Sequence, residues 1–255
     1  MNLNDSSLTR FSNRVENYIK YRPDYPAEII PFLKQEGMLN AQSVIADIGS
    51  GTGISAEMFL KEGNTVYGVE PNKDMREAAE RLLNGYKNLV SISATAEETT
   101  LANNSIGLIV AGQAFHWFDK QKCKTEFQRI LKPGGTVILM WNDRRTASTQ
   151  FLQAYEDCIN MFSTDYKEVN HQNITEQTFT DFYGTGNYKM KIFDHFQEVD
   201  FEGLKGRLLS SSYIPTEEHP DFNFMISVLK KIFNRFQENG KVKIEYDTKV
   251  YYGKL

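Results

Sequence analysis

Apolar positions along the chain change rhythm twice. Over residues 9–20 they recur at helical spacing. Phe11, Val15, Tyr18 and Ile19 make a stripe, with Thr9 or Ser12 placed to cap it. The run "YRPDYP" (21–26) breaks that helix, because each proline drives the residue before it into extended backbone. Pro26 suits the first turn of a second helix over about 26–39, with Ile29, Ile30, Phe32 and Leu33 turned inward. From residue 43 the pattern becomes short continuous apolar runs separated by helical segments. Strands are predicted at "SVIADIG" (43–49), "TVYGVEP" (65–71), "LVSISATAE" (89–97), "IGLIVAGQAF" (106–115) and "TVILMWN" (136–142). Helices are predicted over 53–62, 72–84 and about 120–131, and "KPGG" (132–135) reads as a turn before the fifth strand. A short, wholly apolar strand is buried on both faces. Regular alternation of such strands with helices predicts an α/β architecture, with a mostly parallel sheet covered on both sides.

The alternation lapses after Asn142. Residues 147–187 are rich in polar and aromatic residues, and Phe151, Tyr155, Cys158, Ile159 and Phe162 form a helical stripe; this region reads as an inserted helical cap. Strand character returns over 188–201. A long helix over 219–238 carries Phe222, Met225, Ile226, Leu229, Ile232, Phe233 and Phe236 on one face, and 241–255 alternates as a final strand. The chain shows no internal repeat and no low-complexity tract.

Composition narrows the classes without choosing among them. The 255 residues are 40% hydrophobic and 24% charged, which suits one sizeable globular domain. A net charge of −4 supplies no bulk attraction for nucleic acid or anionic membranes, and no apolar run reaches the length of a membrane span, so neither partner is expected. Cys123 and Cys158 stand far apart in no ligand-like spacing. With a polar N-terminus lacking an apolar signal region, they point to a reduced, cytoplasmic setting. His116, His171, His195 and His219 are scattered, so no metal site is expected.

The candidate chemistry starts at "ADIGSGTGISAEMF" (46–59), where Gly49, Gly51 and Gly53 lie between the first strand and the first helix of the sheet region. Glycines there let a ligand approach the backbone, beside the free N–H groups of a helix start. Their spacing does not name the ligand. Counted from Gly49, the dinucleotide pattern G-x-G-x-x-G/A fails at Ile54; counted from Gly51, it passes at Ala56. The neighbours are more informative. Asp47 precedes the turn, where a carboxylate repels a pyrophosphate but can pair with an ammonium group. Glu70 ends the second strand, where a carboxylate can take both hydroxyls of a ribose.

Four ordered stretches, "VIADIGSGTG", "VYGVEPN", "ATAEETTLANNSIGLIVAGQAFHWF" and "RILKPGGTVILMWN", resemble successive motifs of the class I S-adenosylmethionine-dependent methyltransferases. The upstream pattern Y-x-x-Y-R-P-x-Y-P and "FHW" resemble a small-molecule branch akin to the trans-aconitate and juvenile hormone acid methyltransferases. The likeness spans residues 10–142 and thins beyond 143. It implies a Rossmann-like, doubly wound, seven-stranded sheet whose last strand is antiparallel. It further implies a single methyltransferase domain with a helical lid (1–40), a cofactor-binding core (41–142), a cap (143–187) and a C-terminal part of the sheet and helix (188–255). Carried over by position, the resemblance puts Gly49, Gly51 and Gly53 near the methionyl part of S-adenosylmethionine and Asp47 near that turn or the amino group. It puts Glu70 on the ribose, Pro71 and Asn72 beside the adenine, Ala96 and Glu97 where the adenine amino group is read, and Gln113 beside the sulfonium. Tyr18 and Arg22 match the segment that closes over the cofactor.

Plainer readings stand beside these. Tyr18 equally suits the core, Arg22 a surface site with a stacked stem, and Glu97 a solvated loop. Methyl transfer from a sulfonium is an in-line displacement that needs alignment and exclusion of water, with a base only when the acceptor starts protonated. His116 is therefore read as a substrate contact or base, and Trp117 as an apolar wall or a π-face near the cation. Arg144 is a candidate partner for a substrate carboxylate, against a solvated pair with Arg145; Arg207 is an anion ligand or a surface helix charge. The expected reaction is methylation of a small organic molecule, with a carboxylic acid as one acceptor class. The rivals are an NAD-dependent oxidoreductase and a non-catalytic S-adenosylmethionine-binding module.

Overall fold

The computed structural model describes residues 15–164, 166 and 174–255. The caps placed at Thr9 and Ser12, Phe11 of the first stripe, and His171 lie outside the described residues. Seven strands form one sheet in the order β3-β2-β1-β4-β5-β7-β6. They are β1 (Val44–Ile48), β2 (Thr65–Val69), β3 (Leu89–Ile92), β4 (Ile106–Gly112), β5 (Leu131–Arg144), β6 (Tyr188–Val199) and β7 (Val242–Gly253). The first five pair in parallel, and β7 runs antiparallel to both β5 and β6. The sheet is the seven-stranded, Rossmann-like one that the resemblance implies, with its antiparallel last strand in sequence placed next to the edge.

Strand β1 shows how the apolar runs are used. Its side chains alternate between two cores: Ala46 and Ile48 join Ile109, Ala111, Val137 and Leu139 on one face, while Ile45 joins Leu108, Val110 and Ile138 on the other. Helices α2 (Ile29–Gln35) and α3 (Ile54–Lys61) cover the second face. Helix α5 (Lys120–Ile130) covers the first. Helix α4 (Lys73–Leu82) packs its Met75 and Ala78 against Val15 of α1 (Val15–Tyr21).

Several boundaries differ from the sequence pattern. The third strand ends at Ile92 and the fourth at Gly112, which leaves Ala96, Glu97 and Gln113 on loops. A single 3₁₀ turn, Phe115–Trp117, follows β4. The "KPGG" turn is absorbed as a bulge inside β5: Ile106 pairs with Leu131, but Leu108 pairs with Thr136. Gly134 there takes φ +80°, which lets the extra residues loop out without ending the strand. The second helix is shorter than predicted, since the segment after Pro26 starts as a turn.

The region read as a cap divides between two layers. Helix α6 (Gln150–Phe162) packs with α8 (Phe201–Leu209) and α9 (Phe222–Phe236) around Tyr155, Leu204, Met225 and Tyr246. Helix α7 (Glu176–Tyr183) instead tucks Phe179, Phe182 and Tyr183 beneath the sheet against Phe115 and Trp141. The stripe at 151–162 thus faces a helical core. The sequence pattern does not announce α8, whose apolar stripe is interrupted by Gly203 and Gly206. Among the described residues, no helix is long and apolar enough to cross a membrane.

Candidate active site

Strand β1 is the centre of the site because the connections reverse there: the chain moves from β1 towards β2 and β3 on one side, then returns to β4 and β5 on the other. Such a switch point leaves a crevice beyond the carboxyl ends of the strands. Two adjoining cavities fill it.

The first cavity lies over β1, β2 and β3, lined by Glu70, Pro71, Asn72, Met75, Ala96 and Glu97. Glu70, buried at the end of β2, ties the cavity together. Its Oε2 accepts from the Gly51 N–H (2.9 Å), and its Oε1 accepts from the Asn72 N–H (2.8 Å). Burial raises its pKa, and the two N–H donors oppose that shift. Gly51 takes φ +55°, the left-handed region, and so aims its N–H at Glu70. Gly49 is close-packed: a Cβ there would stand 2.6 Å from the Cβ of Ala114. Asn72 caps α4 by accepting from the Met75 N–H (3.0 Å). Glu97 is no freely solvated charge, since its Oε1 accepts from the Asp119 N–H (2.9 Å) at the start of α5.

The remaining residues predicted for the cofactor divide by position. Tyr18 and Gln113 line both cavities. Arg22 lines the second cavity alone, its guanidinium over the Tyr18 ring (4.9 Å) and its Nη2 donating to the Ser210 carbonyl (2.9 Å). It is half-buried and tied down on both sides, so the free-surface reading of Arg22 does not hold. Gly53 lines neither cavity; it opens α3 and packs against Leu83. Asp47 also stays behind the wall. It shares the face of Ile45, is 0% exposed, and its Oδ2 accepts from Ser55 Oγ (2.7 Å) on α3. Burial lifts its pKa to about 7; the Ser55 bond opposes the shift and the Glu70 charge adds to it. An ionic bond from Asp47 straight to a ligand ammonium is therefore not what the geometry offers. Ser55 stands between Asp47 and the second cavity.

The second cavity lies over β4 and β5. Gly49, Gly51, Gly112, Gln113 and Trp117 are shared with the first, and His116, Arg144, Arg207 and Tyr213 belong to it alone. Gln113 sits at the junction with φ +58° while its N–H donates to the Met140 carbonyl (2.8 Å). A non-glycine residue held in that region is costly and is concentrated at functional sites. Arg144 and Arg145 are not a solvated pair. Their side chains diverge where β5 ends: Arg144 meets Glu156 and the Tyr155 ring (5.0 Å), whereas Arg145, just past the strand, meets Asp247 and Asp194. Arg207 is likewise no surface charge. It is buried on α8, with Nε donating to Tyr246 Oη (3.2 Å) and Nη1 to Ser211 Oγ (3.3 Å). Sequence reasoning had no signal for Ser55 or Tyr213, which are polar residues on a helix and in a loop until the fold brings them to the crevice.

The two cavities differ in charge. Among the described residues, the first contains the carboxylates of Glu70 and Glu97 and no lysine or arginine, so no cationic side chain there would meet a pyrophosphate. A nucleoside with a cationic centre fits it, with Glu70 free to accept from ribose hydroxyls through its remaining lone pairs.

A family model described as "Methyltransferase domain" matches residues 46–139, the span that builds both cavities' floor. These residues form a methyltransferase domain, and the chain is an S-adenosylmethionine-dependent methyltransferase. Its cofactor is S-adenosylmethionine. The methyltransferase is 25% identical over 253 residues to an uncharacterized methyltransferase of Schizosaccharomyces pombe, covering 94% of this chain and 95% of that one. It is 34% identical over 140 residues to an uncharacterized methyltransferase of Mycobacterium tuberculosis, spanning 55% of this chain and about half (54%) of that relative. Its fold matches that of a candidate type II methyltransferase from Anaeromyxobacter dehalogenans with a TM-score of 0.68 at 16% sequence identity, covering 92% and 98% of the two chains. Among the described residues no cluster of three or more His, Cys, Asp or Glu has the arrangement of a metal site.

Proposed function

We propose that this methyltransferase transfers the methyl group to a small organic acid, held in the second cavity and methylated at the junction of the two. The observation that carries this reading is the pairing of the cavities. They share Tyr18, Gly49, Gly51, Gly112, Gln113 and Trp117, and the second adds three arginines, Arg207 buried and Arg22 and Arg144 partly so. Guanidinium groups in that setting match carboxylates.

In this reading, Glu70 holds the ribose hydroxyls, Pro71 and Asn72 flank the adenine, and the Ala96–Glu97 loop reads its amino group. Gly49 and Gly51 pass along the methionyl chain, with Ser55 and Asp47 behind them, while Gly53 keeps α3 in place. Tyr18 closes the top and Gln113 sits beside the sulfonium. When bound, the cofactor supplies a methyl group on an excellent leaving group. The residues of this chain then align the acceptor and exclude water. Arg22, Arg144 and Arg207 orient the acid, Trp117 walls the transfer path, and His116 touches the acceptor. A carboxylate is already ionised, so no base is needed. Both cysteines are buried free thiols, which supports a reduced compartment, the cytoplasm.

Calorimetric titration with S-adenosylhomocysteine and with NADH tests the cofactor part. Binding of the first and none of the second is expected; the reverse overturns it. Glu70→Ala is expected to weaken S-adenosylhomocysteine binding about 10- to 100-fold, the range for a lost hydrogen bond to a charged group. An unchanged affinity removes Glu70 from the ribose role. His116→Ala is expected to lower kcat less than about tenfold. A loss of 10²–10⁴ would make it a general base, on the usual scale of that effect, and would point to an acceptor that starts protonated.

A further inference from the structure

The second cavity holds more positive charge than it neutralises. Among the described residues, its lining carries Arg22, Arg144, Arg207 and one carboxylate, Asp143, which is ion-paired to Lys249 (2.5 Å). Arg22 and Arg207 donate only to neutral oxygens in the bonds described above, and the Arg22 Nε is buried without an acceptor. Arg22 and Arg207 line the same cavity, and burial together with the Arg207 charge pushes the Arg22 guanidinium below its ordinary pKa. Buried charge without a partner is costly, and a site keeps it when a ligand supplies the counter-charge.

Arg144 is different. Glu156, projecting from α6 behind the lining, forms an ion pair with it. The Glu156 side chain is only 16% exposed. Its Oε1 accepts from Asn160 Nδ2 (3.3 Å), and the Tyr166 hydroxyl stands 3.5 Å from its Oε2. It is therefore held in place on the cation and is not a solvated helix charge. One Arg144 nitrogen, Nη1, still lies buried without an acceptor.

We infer that Glu156 is a specificity-determining residue: by neutralising Arg144 it caps the charge of the acid the cavity accepts, leaving Arg22 and Arg207 as the uncompensated pair. The inference rests on the organic-acid reading above. Three guanidiniums less one carboxylate leave two charges for the ligand. Removing Glu156 leaves three, and removing Arg144 leaves one.

The test is titration of the full chain, saturated with S-adenosylhomocysteine, with hexanoate, adipate and tricarballylate, acids of one, two and three charges. Glu156→Gln is expected to improve tricarballylate binding relative to hexanoate by about tenfold or more, the scale of one unpaired charge at short, partly buried distance. Arg144→Met is expected to move the ratio the other way. The double variant, which removes both members of the pair, is expected to return it to the wild-type value, and Glu156→Asp, which keeps the charge, to leave it there. A purely structural role would instead weaken all three acids together. An unaltered ratio in Glu156→Gln overturns the inference; should that variant not fold, an unaltered ratio in Arg144→Met does so. Wild-type protein that binds S-adenosylhomocysteine and none of the acids overturns the organic-acid reading itself, and the inference with it.

Discussion

Asp47 carries the sharpest residue-scale expectation. Its pKa rises from 3.8 to about 7 on folding because the carboxylate is buried behind the sheet. A raised pKa means the folded chain favours the proton, so this residue's contribution to stability is largest at low pH. That contribution is lost as pH climbs from about 4 to 7, at up to about 1.4 kcal/mol per unit, and stays lost above. Asp47→Asn keeps an acceptor for Ser55 Oγ and removes the titration. The variant is expected to gain stability relative to the wild type through that window and to hold a constant advantage beyond it, as measured by urea denaturation across pH. A flat difference would contradict the pKa shift. Gln113 offers the complementary case. Its φ of +58° suits glycine, so Gln113→Gly is expected to stabilise the fold by about 1 kcal/mol while lowering methyl transfer. Equal losses of both would show that the strained residue serves packing alone.

At the level of elements, the placement of α1 depends on a glycine far away in sequence. A Cβ on Gly206 of α8 would lie 2.0 Å from the Tyr21 ring, an impossible approach, so α1 and α8 meet only because that position is bare. Helix α1 is otherwise held by a small apolar cluster with α4 and by polar ties such as the Tyr21 carbonyl accepting from Gln197 Nε2 (3.3 Å). Gly206→Ala is expected to displace α1, costing about 1–3 kcal/mol as overpacking does. It is also expected to weaken S-adenosylhomocysteine binding through Tyr18. Adding Tyr21→Ala should restore binding, since it removes the clash; failure to restore it would mean that α8 itself is damaged. The β5 bulge teaches a related lesson. "KPGG" has every mark of a terminating turn, yet the chain resumes pairing with β4 after it, because Gly134 absorbs the excess length.

Over the whole molecule, the proposed reading divides the labour between the two cavities. Arg207 lies in the helical layer away from the cofactor residues, and its charge has no described carboxylate partner. Arg207→Met is therefore expected to abolish acid binding, leave the stabilisation by S-adenosylhomocysteine intact and not lower stability in its absence, since replacing a poorly compensated buried charge with an apolar group is neutral or favourable. Thermal melts with and without each ligand check this; loss of the S-adenosylhomocysteine shift would mean the cavities are not separable. Much of this architecture was already legible in the residues. Short apolar runs such as "SVIADIG", bounded by turn residues and alternating with helices, read as strands buried on both faces, and the glycine turn with Glu70 after the next strand announces a ligand at the strand ends, because those features depend on neighbours a few positions away. The partners of Asp47, Arg144 and Arg207 were not legible. Asp47 reads as a ligand contact until the period of two in β1 turns it toward Ser55. Arg207 reads equally as an anion ligand or a surface cation until α8 packs against Tyr246 and buries it. Local periodicity was thus enough to set the α/β order and to mark a glycine turn at the strand ends as a place for a ligand. Which charges meet, and so what the second cavity can hold, emerged only on folding, since burial and electrostatic pairing join residues up to 188 positions apart in the chain, as in the bond from Arg22 to Ser210.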